Sequence, residues 1–456
     1  MSTFIRRKQP LVSRAFLLFV LFTNSAAVAE PAARATPQST VPTPSIQQRE
    51  NANNWQSKVT RAECEEALNQ VDKLVEKEFY DVNLVKDVWH KSRDAHKQAI
   101  LKSENLKQLA ENMNAALHEL KCSHTQFVTR NEEIFYFLQS LFSNFNNKLP
   151  AYKMDFIGIT TGGVDKSFDC IRYVLDGSPA QKAGLRRGDI IESVNGAPYE
   201  GQATFHALSG KKVTIKIRRG TQRISVLVEP KFEADYPQYV KAIDESKALI
   251  PSPVGNLGYV HYWSGGRPSL EVFESTVLSE KMLSAEGLII DLRDGYGANS
   301  LTDLDLLYRP EKAFPKMTTI SRSGEQRTSQ DYYDKPVVVL INRGSRSGKE
   351  LLASALKNSG RAKLIGETTA GYVLAGRLFP INNRMSLYLA VDDIYLNGVR
   401  IEGKGVSPDI VVPDDSDHPN GYEDQLEVAK KTLVEEIEKH RQGNPKTTST
   451  VEQTVK

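Results

Sequence analysis

The chain has 456 residues, 40% of them hydrophobic and 25% charged, which is an ordinary composition for a soluble globular protein with room for two or three domains. Its 59 basic and 56 acidic side chains nearly cancel, and removing residues 1–29 lowers the net charge to about −1 because that segment holds basic residues and no acid. No basic block remains that would favour nucleic acid or an anionic membrane surface. We therefore expect neither nucleic-acid binding nor stable membrane insertion.

The first 29 residues have the pattern of a secretory signal. A basic start is followed by an apolar run over residues 15–22 and by small residues ending at Ala29, which predicts cleavage after Ala29. The apolar run is too short to span a bilayer comfortably, so release into a bacterial periplasm is expected and an uncleaved anchor is the alternative. Residues 30–53, with almost no large apolar side chains, are predicted to be a flexible leader.

Residues 54–154 are predicted to form an N-terminal helical domain. Apolar side chains repeat at helical spacing over residues 62–80 and again over 106–120, with Ser103 in a position to cap the second helix. A polar cluster over residues 121–127 follows the end of that helix. Its His124 stands out among the eight histidines, although a single histidine is more often a structural residue than a catalytic one.

Three cysteines are too few for a disulfide framework. Cys64 and Cys122 both fall in the helical region and could pair in an oxidising compartment, which would leave Cys170 buried in a strand. No cysteine or histidine spacing is typical of a metal site, so we expect no metal and no cofactor.

Residues 155–231 contain the successive motifs of a small β-rich module. These are a Phe156-Ile157-Gly158-Ile159 loop, a first helix over 177–185, a hairpin over 187–196, a second helix over 202–208 and closing strands over 213–218 and 224–228. The whole segment resembles a PDZ domain. The resemblance implies that an extended peptide adds as a strand while loop N–H groups hold its terminal carboxylate, with Phe156, Ile157, Gly158 and Ile159 as the binding residues. A purely structural spacer is the alternative.

Residues 232–415 are predicted to form the core of the protein. Its first elements are a linker over 232–253, a strand over 258–262, a helix over 270–283, a buried strand over 287–293 and a glycine-rich turn over 294–298. Beyond this core, a charged helix is predicted for residues 416–442 and a disordered tail for 443–456.

The stretch from residue 336 to residue 372 predicts a strand, a tight turn, a helix and a second strand. Residues 336–342 are apolar and β-branched, the turn over 343–348 contains Ser345 and Ser347, and Gly360 closes the helix that follows. A helix N-terminus directs unpaired N–H groups at whatever a serine in this position attacks, so the turn suits a nucleophile. Serine at such a turn also commonly serves only as a helix cap, and the pattern alone leaves both interpretations open.

The motifs S-x-S-x-x-E, G-R-A and G-E-x-T-x-G occur together in this stretch. They lie at Ser345, Ser347, Glu350, residues 360–362, Gly366, Glu367, Thr369 and Gly371. The stretch resembles the catalytic segment of the C-terminal processing (tail-specific) peptidases, and this resemblance implies that Ser347 is the nucleophile. Those peptidases carry a lysine base directly after the last glycine, whereas this chain has Tyr372.

The resemblance also implies a replacement for the missing lysine. In the branch that is similar to the tricorn protease core, a histidine after the helical domain is the general base and the serine beside it belongs to the site, which here are His124 and Ser123. That branch has its acid in the closing segment G-x-x-I-x-G-x-G-V-x-P-D, which is matched by residues 398–409 and contains Glu402. The implied roles are therefore Ser347 as nucleophile, His124 as base and Glu402 as the group that orients the imidazole.

The turn over residues 294–298 resembles the oxyanion-hole loop D-L-R-x-N-x-G-G of the same peptidases. Gly297 matches the first glycine of that motif, but Gly295 replaces the asparagine and Ala298 the second glycine. Glycine suits the role because backbone approaches a substrate closely where no Cβ intervenes. The implied oxyanion donors are the N–H groups of Gly348 and Gly297.

The predicted fold class is α/β, with a layered ββα superhelical peptidase core, an N-terminal helical domain and an inserted PDZ β-barrel. The predicted function is a serine endopeptidase that cleaves exported proteins or peptides whose C-termini the PDZ domain selects. An inactive peptidase fold that binds C-termini as a scaffold is the second hypothesis, and a Ser-Lys dyad using Lys349 or Lys404 is the third. An oligomer is compatible with the sequence.

Overall fold

A computed structural model describes residues 58–145, 149, 152–163, 166–308, 317–324, 326–414 and 423–443. The predicted signal and leader lie outside these residues, and so does the predicted tail except for Gly443, which ends the last helix. Within the described ranges, no helix has both the length and the apolar character needed to cross a lipid bilayer.

The N-terminal region is helical as predicted, and side-chain caps begin α1 and α3. Its elements are α1 (Arg61–Glu78), a short helical and π-helical lead over residues 82–89, α2 (His90–Leu101), α3 (Leu106–His118), β1 (Gln126–Thr129) and α4 (Glu133–Phe145). Thr60 and Glu63 form a capping box at the start of α1. The cap predicted at Ser103 is wrong, because Asn105 accepts the Gln108 N–H at 2.9 Å. Helix α4 was not predicted.

The three cysteines are free, so the suggested pairing of Cys64 with Cys122 is wrong. Cys64 is buried against the carbonyl of Ser103, at an Sγ–O distance of 3.7 Å. The Cys122 thiol lies 2.9 Å from the Leu120 carbonyl, close to the polar cluster that contains His124.

The next region has the strand order of a small β-module. Its elements are β2 (Lys153–Phe156), β3 (Ile159–Gly163), β4 (Lys166–Val174), α5 (Pro179–Lys182), β5 (Ile190–Val194), β6 (Ala197–Pro198), a 3₁₀ turn (Ala203–Phe205), β7 (Val213–Arg219), β8 (Gln222–Val228) and β9 (Lys231–Ala234). The main sheet runs β3-β4-β5-β7-β8, with β3 at one edge. The second predicted helix is only the 3₁₀ turn. Strands β2 and β9 pair antiparallel where the chain enters and leaves the module.

The segment predicted as a linker over residues 232–253 is structured. After β9 it forms α6 (Asp235–Glu245) and β10 (Ala248–Ile250). Tyr236, Tyr239 and Ile243 are buried along one face of α6, which is the three-to-four spacing of a core helix. Acidic residues at both ends of the segment hid this short stripe in the sequence.

The core of the protein contains the remaining elements. They are β11 (Leu257–His261), α7 (Arg267–Val277), α8 (Glu280–Leu283), β12 (Gly287–Asp291), a 3₁₀ helix (Leu301–Leu307), β13 (Met317–Ile320), β14 (Gln326–Ser329), β15 (Val337–Ile341), α9 (Gly348–Asn358), β16 (Ala362–Gly366), β17 (Leu374–Pro380), β18 (Met385–Asp393), β19 (Tyr395–Leu396), β20 (Val399–Arg400), β21 (Ile410–Val411) and α10 (Glu423–Gly443). The helix predicted over 270–283 is divided into α7 and α8, with Ser279 capping the second.

The core sheet has the order β10-β11-β12-β15-β16-β21 and is parallel from β11 to β21. Both faces of β15 are covered, because Val338 and Leu340 pack under α10 while Val337, Val339 and Ile341 face the side of α9. This double burial explains the uninterrupted apolar runs of β12 and β15. The carboxyl ends of the parallel strands therefore meet at one edge, where loops carry side chains into a common site.

A second, three-stranded sheet joins the helical region to this edge. Its order is β1-β18-β17, and β1 pairs antiparallel with β18 from Gln126 opposite Tyr388 to Thr129 opposite Met385. Leu387 and Leu389 of β18 pack among the buried side chains of the N-terminal helices. Strand β1 thus fixes the residues that immediately precede it, which include His124. The observed layers confirm the predicted α/β fold class.

Candidate active site

Ser347 lies at the turn between β15 and α9, in a backbone conformation that few serines adopt. Its φ is +57° and its ψ is −128°, which is strained for a residue with a side chain. The neighbouring Ser345 stabilises the turn, because its buried hydroxyl donates to the Leu292 carbonyl at 2.8 Å and accepts the Asn342 N–H at 3.0 Å. Ser345 therefore joins the ends of two core strands, and Ser347 is the serine left facing the site.

The Glu350 carboxylate holds this conformation in place. One oxygen accepts the Thr369 hydroxyl at 2.5 Å and the Gly371 N–H at 2.7 Å. The other accepts the N–H groups of Tyr372 at 2.7 Å and Ser347 at 3.1 Å. Burial raises the pKa of Glu350, and these donors oppose that rise. The motif residues Glu350, Thr369 and Gly371 thus belong to a single hydrogen-bonded network around the nucleophile turn.

His124 contacts Ser347 across 223 positions of sequence. Its Nε2 lies 3.0 Å from Ser347 Oγ, and its Nδ1 lies 2.7 Å from Ser123 Oγ. Desolvation, followed by the positive charge of Arg346, lowers the pKa of His124 to about 3. The ring is therefore neutral near pH 7 and has one nitrogen free to accept a proton.

Ser123 stands between the imidazole and the acid. Glu402 Oε2 accepts the Ser123 hydroxyl at 3.0 Å and the Val373 N–H at 2.6 Å, and Oε1 accepts the Ser123 N–H at 3.0 Å. Because the Ser123 hydroxyl donates to the carboxylate, it accepts from His124 Nδ1–H, which leaves Nε2 as the acceptor for Ser347. Glu402 was predicted to orient the ring, and in the structure its contact with the ring passes through the Ser123 hydroxyl.

The loop over residues 294–298 packs directly on the nucleophile turn. A Cβ at Gly297 would lie 2.5 Å from Gly348 N and 2.6 Å from Ser347 Cβ, so only glycine fits. Ala298 replaces the second glycine of the family motif but has a φ of +75°, the left-handed conformation that glycine adopts readily. The departure in sequence therefore leaves the backbone path of a glycine in place.

The lysines considered for a dyad lie elsewhere. Lys349 is buried and its Nζ donates to the Asp294 carbonyl at 2.5 Å, while Lys404 is exposed. Within the part of the chain that the structure describes, the hydrogen-bond partner of Ser347 Oγ is His124 and not a lysine. The Tyr372 side chain, 46% exposed, occupies the position of the family lysine.

Arg346 belongs to the site, although the sequence analysis did not predict a role for it. Its Nε donates to the Gly295 carbonyl at 3.1 Å, and its guanidinium lies 4.4 Å above the centre of the Tyr296 ring. Arg346 also contributes to the low pKa of His124. No motif marks this role, because the contacts are made with a loop about fifty residues away.

The four predicted peptide-binding residues run from the end of β2 to the start of β3, with Ile157 and Gly158 forming the loop between the two strands. The side chains of Phe156, Ile157 and Ile159 are buried, and Gly158 has a φ of +88° with Ser178 so close that a Cβ would meet its Cβ at 2.2 Å. Among the described residues, nothing accepts the N–H groups of Ile157 and Gly158. Two backbone donors therefore stand next to the edge strand β3.

The small β-module also contacts the loop over residues 294–298. Arg172 Nε donates to Asp294 Oδ1 at 2.9 Å, and Arg187 Nη2 donates to Asp414 Oδ2 at 2.7 Å. Asp294 is nearly fully buried, so its carboxylate is held in the ion pair from the module side.

Comparison with known proteins agrees with this architecture. Residues 256–412 match the model of peptidase family S41, and residues 171–219 match that of the PDZ domain. The chain therefore carries a segment that matches the PDZ domain ahead of a segment that matches peptidase family S41.

Two curated relatives are carboxy-terminal processing proteases. The chain is 28% identical over 269 residues to the carboxy-terminal-processing protease of Bartonella bacilliformis, covering 52% of this chain and 57% of that protein. It is 28% identical over 281 residues to the carboxy-terminal processing protease CtpB of Bacillus subtilis, covering 58% of this chain and 57% of that protein. The matched part thus spans little more than half the length of either relative.

One solved structure shares the fold over most of the chain. The tricorn protease superimposes with a TM-score of 0.52 and 17% identity, covering 83% of this chain and 37% of that one. At this identity the likeness concerns the fold alone.

Proposed function

We propose that this protein is a serine endopeptidase in which Ser347 is the nucleophile and His124 the general base. The observation that carries the proposal is the continuous contact from Ser347 Oγ through His124 and Ser123 to Glu402, with distances of 3.0, 2.7 and 3.0 Å. A serine hydroxyl is a poor nucleophile at neutral pH unless a base removes its proton. Here His124 lies in hydrogen-bond contact with the Ser347 hydroxyl and is the proposed base.

The proposed reaction follows from the direction of these hydrogen bonds. Ser347 Oγ attacks the carbon of the scissile carbonyl while its proton passes to His124 Nε2. The imidazolium that forms keeps its Nδ1–H on Ser123 Oγ, and the Ser123 hydroxyl donates to the Glu402 carboxylate, whose negative charge favours the protonated ring. His124 Nε2–H then protonates the leaving amine, and water hydrolyses the acyl-enzyme by the same steps.

The negative charge on the substrate oxygen needs donors in fixed positions. The Gly348 N–H at the start of α9 and the Gly297 N–H of the adjoining loop are the proposed pair. Loss of one such donor in comparable sites costs roughly 3 kcal/mol of transition-state stabilisation.

We further propose that the PDZ domain selects substrates by their C-termini. The edge strand β3 offers a place for an added strand, and the N–H groups of Ile157 and Gly158 would receive the terminal carboxylate. Cleavage of a peptide with a free C-terminus should therefore exceed cleavage of its C-terminal amide, whereas equal rates would remove the PDZ domain from substrate choice.

A fluorophosphonate probe tests the nucleophile assignment. The wild type should gain one adduct, mapped by peptide mass spectrometry to Ser347, and the Ser347→Ala and His124→Ala variants should gain none at equal probe exposure. The second candidate function, an inactive scaffold that binds C-termini, is favoured by Tyr372 at the position of the family lysine. A folded wild type that binds peptide but is neither labelled nor able to hydrolyse it would establish the scaffold.

Export belongs to the same proposal and is supported by the sequence of residues 1–29. Cleavage after Ala29 would release the protein into the periplasm, where it would meet exported polypeptides. Amino-terminal sequencing of the protein isolated from cell fractions should find Glu30 first; an intact Met1 on membrane-bound protein would favour the anchor.

A further inference from the structure

Three donors hold the loop over residues 294–298 by hydrogen bonds to its carbonyl groups. The Asp294 carbonyl accepts from Lys349 Nζ at 2.5 Å and the Gly295 carbonyl from Arg346 Nε at 3.1 Å. The Gly265 N–H donates to the Gly297 carbonyl at 2.7 Å and to the Tyr296 carbonyl at 3.3 Å. Two of the three donors are basic side chains, and the two carbonyls that they hold lie two and three positions before Gly297 in the chain.

Both cations come from the nucleophile turn itself. Arg346 immediately precedes Ser347, and Lys349 follows it by two positions in the first turn of α9. The two side chains therefore extend from either side of the nucleophile to a loop that lies more than fifty residues earlier. Any displacement of that loop relative to Ser347 must break one of these contacts.

Lys349 lies in an unusual place for a lysine. It is fully buried, and burying an ammonium group costs free energy that an apolar side chain of similar size would not. The charged groups around it are Asp291, Asp294 and Arg346. The charge of Lys349 in turn helps to lower the pKa of His261 in strand β11. Burial lowers the pKa of Lys349 to about 7, although the two aspartates oppose this.

The backbone of the loop is not in its most relaxed conformation. Asp294 has a φ of +47° and Ala298 a φ of +75°, and both are left-handed positions for residues that carry a Cβ. Such conformations persist when surrounding contacts over-determine them. Lys349 and Arg346 supply contacts of that kind on the segment between the two strained residues.

We propose that Lys349 and Arg346 are positioning residues that clamp the 294–298 loop against the nucleophile turn and so fix the Gly297 N–H for the oxyanion. This inference rests on the peptidase function proposed above. Neither side chain needs to touch substrate, because the clamp acts through the peptide groups of Asp294 and Gly295. Removal should therefore weaken the transition state more than substrate binding.

Kinetics of Lys349→Met test the clamp, with Lys335→Met as the matched control. Lys335 also donates to two backbone carbonyls, those of Leu283 and Ala285 at 2.7 and 2.5 Å, but at the opposite end of the core strands. We expect Lys349→Met to lower kcat about 10- to 100-fold with KM within about threefold, since a misplaced donor loses part of its effect. Lys335→Met should leave kcat within about twofold, and Lys349→Arg should recover part of the loss.

Amide hydrogen exchange gives a readout that does not depend on turnover. Peptides covering residues 294–298 should exchange faster in Lys349→Met and in Arg346→Met than in wild type or Lys335→Met. If Lys349→Met does not fold, Arg346→Met carries both measurements, because its half-buried side chain is less important for packing.

Two results would overturn the inference. One is a folded Lys349→Met or Arg346→Met that keeps the wild-type kcat, and the other is unchanged exchange of the loop in both variants. Failure of the proposed peptidase function would give a different result, because the wild type itself would then neither hydrolyse peptide nor be labelled at Ser347. Amide exchange of residues 294–298 would still be faster in the variants if the clamp exists.

Discussion

Two histidines of this protein, the half-buried His124 and the buried His261, have similarly lowered pKa values and opposite hydrogen bonding. Burial lowers the pKa of His124 to about 3 and that of His261 to about 4. His261, in β11, stacks on Trp263 at 3.5 Å and its Nε2 lies 2.7 Å from the Arg293 carbonyl. A carbonyl can only accept, so His261 Nε2 must carry the proton.

The two rings are therefore opposite tautomers. His124 is protonated on Nδ1, towards Ser123, and accepts on Nε2 from the Ser347 hydroxyl. The Nε2 of His261 is committed to a backbone oxygen, and its Nδ1 lies 3.8 Å from the Asp291 carboxylate. A strongly lowered pKa therefore does not by itself identify a general base. The identifying feature is a ring nitrogen that can accept a proton from a neighbouring hydroxyl.

The largest expected difference is in the chemical step. His124→Ala should lower kcat about 10⁴-fold, because the base is lost and only binding and oxyanion stabilisation remain. His261→Gln, whose amide can still donate to the Arg293 carbonyl, should leave kcat within about fivefold and lower the melting temperature instead. Steady-state kinetics with a peptide substrate, alongside thermal unfolding, distinguishes the two. A His261→Gln variant as inactive as His124→Ala would break the comparison.

The next effect concerns the hydroxyl that sets the tautomer. Ser123→Ala removes the acceptor of His124 Nδ1–H and the link to Glu402, and we expect kcat to fall about 100-fold. Ser123→Thr keeps a hydroxyl and should retain much of the wild-type kcat. Thr125→Ala is the control, because its hydroxyl donates only to the Ser123 carbonyl at 3.2 Å. Equal activities of the Ser123→Ala and Thr125→Ala variants would show that the relay is dispensable.

The pH dependence separates activity from stability. Protonated His124 cannot accept the Ser347 proton, so kcat/KM should hold from pH 7 to about pH 5 and decline towards pH 3. Arg346→Met removes a charge that lowers the pKa of His124, so the acidic decline should move to higher pH. An unmoved decline would mean that another group sets it.

Both histidines should also affect folding in acid. Each has a folded-state pKa below the value of about 6.5 expected in the unfolded chain, so the unfolded state binds more protons between those values and stability falls as the pH falls through that range. Urea unfolding at pH 7, 5 and 4 should show a smaller loss of stability for His261→Gln than for wild type. An identical loss would mean that His261 is not neutral in the folded protein.

The smallest effects are expected at the lysine positions of a Ser-Lys dyad. Tyr372→Lys should not raise kcat/KM, because Ser347 Oγ already donates to His124. Lys404→Met removes an exposed charge and should change kcat/KM less than threefold. A rise of tenfold or more in Tyr372→Lys would show that a lysine base is the better partner in this site.

Local patterns in the sequence were sufficient for elements whose structure depends on neighbouring residues. The strand over Val337–Ile341, the turn at Ser347 and the helix ended near Gly360 were predicted because apolar spacing and glycine act within a few positions. The PDZ segment was predicted from the resemblance of its motifs to those of PDZ domains. Helix α6 was missed, since its buried stripe of two tyrosines and an isoleucine is short and lies between acidic residues.

By itself, the sequence determined which residue types were present for the chemistry and which local elements carry them. Only the tertiary structure decided that His124 reaches Ser347 across 223 positions, that Ser123 stands between it and Glu402, and that Lys349 points at a carbonyl and not at the nucleophile. It also decided that Ala298 keeps the backbone of a glycine. The physical reason is that these contacts depend on how sheets and loops pack over long separations, which no short-range spacing encodes.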